Sequence, residues 1–112
     1  MKIYHNPRCS KSRNGLKFLE DKGCKFEVVK YLDEGISEKE LAGIIAKTGK
    51  KPFEFVRTQE QDYKDNYKGK ELSDNEWIKI LSENPKLLQR PIVINGDKAV
   101  LGNPPEEINR IL

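Results

Sequence analysis

Tyr4-His5-Asn6-Pro7-Arg8-Cys9-Ser10-Lys11-Ser12-Arg13 is the segment from which the rest of the chain is read. Lys2 to His5 predicts a short strand. Asn6-Pro7 stops it, because proline has no N–H for a ladder and Asn-Pro favours a turn. Beyond the turn, Leu16 and Leu19, with the flanking Phe18, recur at helical spacing, and Gly23 stands where a helix would end. The spacing predicts a helix from Cys9 or Ser10 to about Lys22. A cysteine therefore falls where the carboxyl end of a strand meets a helix N-terminus, the place where open α/β sheets hold their ligands.

The surroundings of Cys9 point to reactivity. Residues 1–19 contain Lys2, Arg8, Lys11, Arg13 and Lys17, and the first acid in the chain is Glu20. A thiol of ordinary pKa, about 8.5, is shifted toward thiolate by a helix N-terminus and by neighbouring cations. The unpaired N–H groups of the first helical turn face such a sulfur. Ser12 lies one turn on and is expected to donate a hydrogen bond to the sulfur from its hydroxyl. His5 adds positive charge nearby. The alternative is a buried structural cysteine. Such residues are usually flanked by apolar neighbours, and Pro7 to Arg13 offers none.

Working outward, Lys25 to Tyr31 is rich in β-formers and predicts a second strand. Ser37-Glu38-Lys39-Glu40 and Ser73-Asp74-Asn75-Glu76 are both capping boxes. The first opens a helix with Leu41, Ile44 and Ile45 inward. The second opens one with Trp77, Ile80 and Leu81 inward, ended by Asn84-Pro85. Between them, Phe53, Phe55 and Val56 are expected to pack, and Asp62 to Asp65 to be solvated. Pro91 to Ile94, Asn95-Gly96 and Asp97 to Leu101 predict a β-hairpin turning on Asn-Gly. A last helix follows, with Asn103 as N-cap and Pro104 at its first position.

The order is β-α-β, a helical insertion over roughly residues 37–88, then a hairpin and a helix. It implies a single α/β domain over 1–112 with a thioredoxin-like fold, its four-stranded sheet mixed. Composition agrees with one globular domain: 36% hydrophobic and 35% charged residues in a chain of 112. No apolar run is long enough to cross a bilayer, and Met1 to His5 shows no signal peptide. A net charge of +3, from 21 basic and 18 acidic residues, is too balanced to argue for nucleic acid. The single histidine and two poorly placed cysteines do not make a metal site. Two cysteines suit reduced thiols in a cytoplasm.

Cys9 begins Cys-Ser-Lys-Ser, so the second sulfur of a Cys-x-x-Cys pair is missing. Cys24 lies beyond the first helix, and a helix of about ten residues is about 15 Å long. A disulfide needs Cα atoms within about 7 Å. Cys24 is therefore expected to pack rather than react, and resolution to need an external thiol such as glutathione or a glutaredoxin.

The segment from Tyr4 to Arg13 resembles the active-site segment of the ArsC-type, glutaredoxin-coupled arsenate reductases. Leu88-Gln89-Arg90-Pro91-Ile92-Val93-Ile94 and Ala99-Val100-Leu101-Gly102-Asn103-Pro104-Pro105-Glu106 resemble that family's two later motifs, and Phe55-Val56-Arg57-Thr58-Gln59-Glu60 its intervening arginine segment. The four matches come in order from residue 4 to 106. The resemblance implies that Cys9 attacks arsenate, with His5 and Ser12 as further catalytic residues, His5 helping to keep the thiolate ionised. It implies that Asn6, Arg57, Arg90 and Asn103 line the substrate site, and that the Arg90-Pro91 peptide is cis. It further implies glutathione as reductant, glutaredoxin as partner and no bound cofactor. From its own neighbours, Arg57 has a second reading as a surface partner of Glu54 or Glu60. The reductases for which the family is named carry an arginine where this chain has Asn103, which offers amide donors without charge. Two other functions are weighed against arsenate reduction. One is a thiol protein acting on glutathione mixed disulfides. The other is an Spx-like regulator that binds RNA polymerase, which Ser12 disfavours because those proteins typically switch through Cys-x-x-Cys.

Overall fold

The computed structural model describes residues 1–112. Strand β1 (Lys2–Tyr4) leads through a loop into α1 (Ser10–Asp21), and β2 (Glu27–Val29) lies parallel to β1. Strands β3 (Ile92–Asn95) and β4 (Lys98–Leu101) form an antiparallel hairpin, with β3 antiparallel to β1, giving the sheet order β2-β1-β3-β4. The mixed four-stranded sheet of the thioredoxin-like reading is present.

Alternation along the strands sends side chains to opposite faces. Ile3, Val93 and Val100 pair across the sheet and pack with Leu19, Ile108 and Ile111 on one face. Tyr4 and Ile92 point to the other face, into a larger core with Tyr31, Leu41, Phe55, Trp77 and Leu88. That second face is covered by α3 (Glu38–Thr48) and α5 (Asp74–Glu83), separated by a 3₁₀ turn (Pro52–Phe55) and the short α4 (Gln61–Asn66), which buries no residue. Phe53 departs from the packed expectation: it is 44% exposed and lies as a rim ring, 5.2 Å from the Trp77 centroid.

Helix α1 ends in a Schellman motif. The Cys24 amide donates to Leu19 O and the Gly23 amide to Glu20 O, with Gly23 at φ +70°. Strand β2 is shorter than predicted, because β1, its only partner, has three residues before the Asn6-Pro7 turn. Tyr31, expected inside that strand, instead starts the four-residue helix α2 (Tyr31–Glu34).

The Ser73 box forms in full, each side chain bonding the other residue's amide. The Ser37 box forms by half. Ser37 Oγ accepts from Glu40 N at 3.1 Å, but the Glu40 carboxylate accepts the Tyr4 hydroxyl at 2.6 Å instead of reaching back. The hairpin turns on Gly96-Asp97, one residue later than predicted, with Gly96 at φ +63° and Asn95 paired to Lys98. Asn95 is held in the ladder while its side chain donates to Ile111 O at 2.6 Å.

The last helix also starts later, and it is a 3₁₀ helix (Pro105–Ile111). Pro104 precedes another proline, which excludes it from helical ψ, and it sits at ψ 161°. Asn103 is therefore not the N-cap; it is exposed on the loop before Pro104. Both Arg90-Pro91 and Asn103-Pro104 are cis, the first as the resemblance implies and the second unforeseen.

Candidate active site

The loop between β1 and α1 is built almost entirely from its own polar groups. The Cys9 amide donates to Asn6 O at 3.0 Å, and the Arg8 amide donates to Asn6 Oδ1 at 3.0 Å. Asn6 is buried and thereby shapes the turn. Its own N–H donates to Ser12 Oγ at 2.9 Å, and His5 Nδ1 lies 2.7 Å from the same oxygen. Ser12 is fully buried. Its hydroxyl is thus engaged by the loop rather than by the sulfur, against the sequence expectation.

Cys9 is the N-cap of α1, in extended conformation. Burial alone would push its thiol up. The Ser12 amide, the Arg90 side chain and the Lys11 amide favour the thiolate together with the Arg90 charge, and they outweigh burial, so the thiol titrates below its ordinary value. The help that Ser12 gives comes from its backbone N–H. The cation that matters most is Arg90, distant in sequence, rather than the basic residues of the loop.

His5 is buried, and burial holds its imidazole below the usual histidine value, with the Ser12 contact opposing and the Lys30 and Arg13 charges reinforcing. A neutral ring accepting the Ser12 O–H at Nδ1 carries its proton on Nε2. In this arrangement His5 orients Ser12 and does not act as a cation beside the sulfur.

Arg90 is buried, 9% exposed, and stands two residues before β3, followed by Pro91. Its Nη1 donates to Lys86 O at 3.1 Å and to Leu88 O at 3.3 Å. Arg57 is brought to the same region by a backbone clamp. The Arg57 amide donates to Leu87 O and the Gln89 amide to Phe55 O, each at 2.7 Å, around a Val56–Leu88 bridge. Its guanidinium, 14% exposed, pairs with Glu60 at 3.0 Å, as its alternative reading proposed. Pairing does not retire it as an anion ligand, since Nη1 stays outside the Glu60 contacts made by Nε and Nη2.

Cys24 sits at the far end of α1, twelve residues of helix from Cys9, and both thiols are free. That separation is about 18 Å at 1.5 Å per residue. A cleft of about 700 Å³ opens beside His5 to Arg8, with Arg8, Lys30 and Lys86 facing Asp33, Asp62 and Glu83.

One residue of this region escaped the sequence reading. Tyr31 is fully buried, its hydroxyl has no hydrogen-bond partner, and the charges that bear on it are Arg90, Arg57 and Cys9. Its sequence signal was its position, just past the carboxyl end of the second parallel strand. The β-forming run around it masked that signal.

What the arrangement can do is hold a thiolate at a helix N-terminus beside a buried guanidinium, a setting for nucleophilic attack on an electron-poor centre carrying negative oxygens. Comparison with known proteins identifies the family. The ArsC family model matches residues 4–111. An arsenate reductase of Haemophilus influenzae is 46% identical over 98% of this chain and 97% of its own length. One of Neisseria meningitidis is 40% identical over 100% of this chain and 97% of its own. The solved structure of an arsenate reductase from Vibrio cholerae superposes with a TM-score of 0.92 at 40% identity, covering 100% of this chain and 98% of that one. With its sheet order, its Cys9 loop and a match that runs nearly end to end, this chain belongs to the ArsC family.

Proposed function

We propose that this protein is a thiol-dependent arsenate reductase. The observation that carries the reading is the Cys9 thiol, held toward thiolate by the α1 amides and Arg90 in a chain whose full-length relatives bear that name. Cys9 Sγ attacks arsenic and an arsenate oxygen leaves as water, forming a Cys9–arsenic(V) bond. Arg90 and Arg57 hold the remaining oxygens, with Asn6 and Ser12 keeping the loop in shape, His5 orienting Ser12, and Asn103 at the rim. Glutathione then adds its sulfur to the arsenic, displacing a second oxygen as water. A glutaredoxin thiol attacks that glutathione sulfur; the S–As bond breaks and leaves its electron pair on arsenic, now arsenic(III). Water finally cleaves the Cys9–arsenic bond and releases arsenite.

The need for two external thiols is supported by the distance from Cys9 to Cys24. Glutathione is consumed as reductant, and the chemistry calls for no bound cofactor. No helix is long and apolar enough to cross a membrane. Two free thiols suit work in a reducing cytoplasm.

A second reading, reduction of glutathione mixed disulfides, is favoured by one observation: Asn103 is exposed and uncharged where the family's name-giving reductases carry a third arginine. The test is arsenate reduction coupled to glutathione and glutaredoxin. Wild type and Cys24→Ser are expected to be active and Cys9→Ser inactive, with Asn103→Arg raising affinity for arsenate. Activity surviving in Cys9→Ser would end the proposal. Wild type inactive on arsenate but active on a glutathione mixed disulfide would establish the second reading instead.

A further inference from the structure

Arg90 leaves a question of donor accounting. A guanidinium has five N–H donors. Nη1 spends both of its hydrogens on the carbonyls of Lys86 and Leu88. Nε is buried and has no partner, and the only other buried side-chain polar atom in that state is the Tyr31 hydroxyl. The two are neighbours, since Arg90 bears on the Tyr31 hydroxyl more than any other charge does. An orphaned donor lies beside an orphaned acceptor. Neither atom is open to solvent, so neither touches a substrate arriving from outside.

We infer that Tyr31 is a positioning residue for Arg90: its hydroxyl oxygen accepts the Nε–H, fixing the guanidinium plane so that Nη2 is presented to Cys9 and to an anion bound there. With Nη1 tied to two carbonyls and Nε to Tyr31, Nη2 is the one nitrogen left to serve the site. The elements supply the rigidity this needs. Tyr31 begins α2 at the carboxyl end of β2, and Arg90 precedes β3, on the two sides of β1. Burial raises the phenol above its ordinary value, so it stays neutral and able to accept from a cation across the working pH range. The inference deepens the proposed function, since it concerns the same thiolate, but it does not depend on arsenate being the substrate.

The experiment compares Tyr31→Phe with wild type by the pH dependence of Cys9 alkylation with iodoacetamide, in a Cys24→Ser background so that one thiol reports. Loosening Arg90 is expected to raise the Cys9 midpoint by about half a unit or more. KM for arsenate should rise several-fold, with a smaller change in kcat. The thermal midpoint should fall, because the buried Nε–H of the guanidinium loses the acceptor assigned to it. A purely packing role moves neither the alkylation midpoint nor KM, and that result would overturn the inference. Arg90→Lys supplies the second arm. It should raise the midpoint itself, and Tyr31→Phe added to it should raise it no further; full additivity of the two shifts would also overturn the inference. If wild type proves inactive on arsenate, the alkylation arms still decide the role of Tyr31, so the two failures are distinguishable.

Discussion

Ser12 illustrates how a single hydroxyl and a single amide of one residue do different work. Its Oγ takes the Asn6 N–H and meets His5 Nδ1, while its backbone N–H supports the Cys9 thiolate. Ser12→Ala removes the first function and keeps the second. It leaves the Asn6 N–H without its acceptor in a buried turn, which costs about 1–3 kcal/mol. Urea denaturation should show that loss, while the Cys9 alkylation midpoint should move little. His5 provides a pH signature of the same knot. Its folded value lies below 6.5, so between the two values the unfolded chain binds the proton and the folded one does not. The stability that this site contributes is complete above pH 6.5 and is lost as pH falls toward the folded value. Thermal midpoints measured between pH 7.5 and about 5 should therefore fall more steeply in wild type than in His5→Asn. The sequence made Cys9 legible through its basic, helix-starting neighbours. It could not show that Arg90 dominates the thiol, because that contact spans eighty-one residues of chain and no local pattern encodes it.

At the scale of elements, α1 meets the β3 entrance through a glycine. A Cβ on Gly15 would lie 2.6 Å from Pro91 Cγ, part of a ring with no freedom to swing aside. Gly15→Ala would gain about 1 kcal/mol of helix propensity. Overpacking costs about 1–3 kcal/mol and wins, because the contact is far inside van der Waals separation. A net destabilisation of about 1 kcal/mol is expected by urea denaturation. Slower Cys9 alkylation should accompany it, since Pro91 carries Arg90 with it. The elements themselves were readable where the signals are local: the Ser73 box, the Gly23 terminus of α1 and the existence of the hairpin. They slipped where a distant group intervened. Glu40 was drawn from its box by Tyr4, and Asn95 was kept in the ladder with its side chain on Ile111. Pro104 is the exception, a local rule that the sequence reading passed over, since a proline before a proline is kept out of helical ψ.

Taken whole, the molecule gathers its site from four separated places: the β1–α1 loop, the start of α2, the Arg57 segment and Arg90, two residues before β3. It brings no second sulfur with them. Helix α1 separates Cys9 from Cys24 by twelve residues, about 18 Å. A disulfide spans Cα atoms about 4.4–6.8 Å apart, so joining the two would require α1 to unwind. The fold also discourages that unwinding, because the Cys24 amide closes the helix on Leu19 O and its side chain packs with the Leu19 cluster. Oxidation must then be answered from outside the chain. Treated with glutathione disulfide, wild type is expected to accumulate one glutathione per chain, at Cys9, rather than an internal bridge. Intact-mass and peptide mass spectrometry read the two outcomes directly, and Cys24→Ser should take up the same single adduct at a similar rate. An internal Cys9–Cys24 disulfide forming under native conditions would show that the end of α1 opens, and it would remove the physical reason for an external reductant.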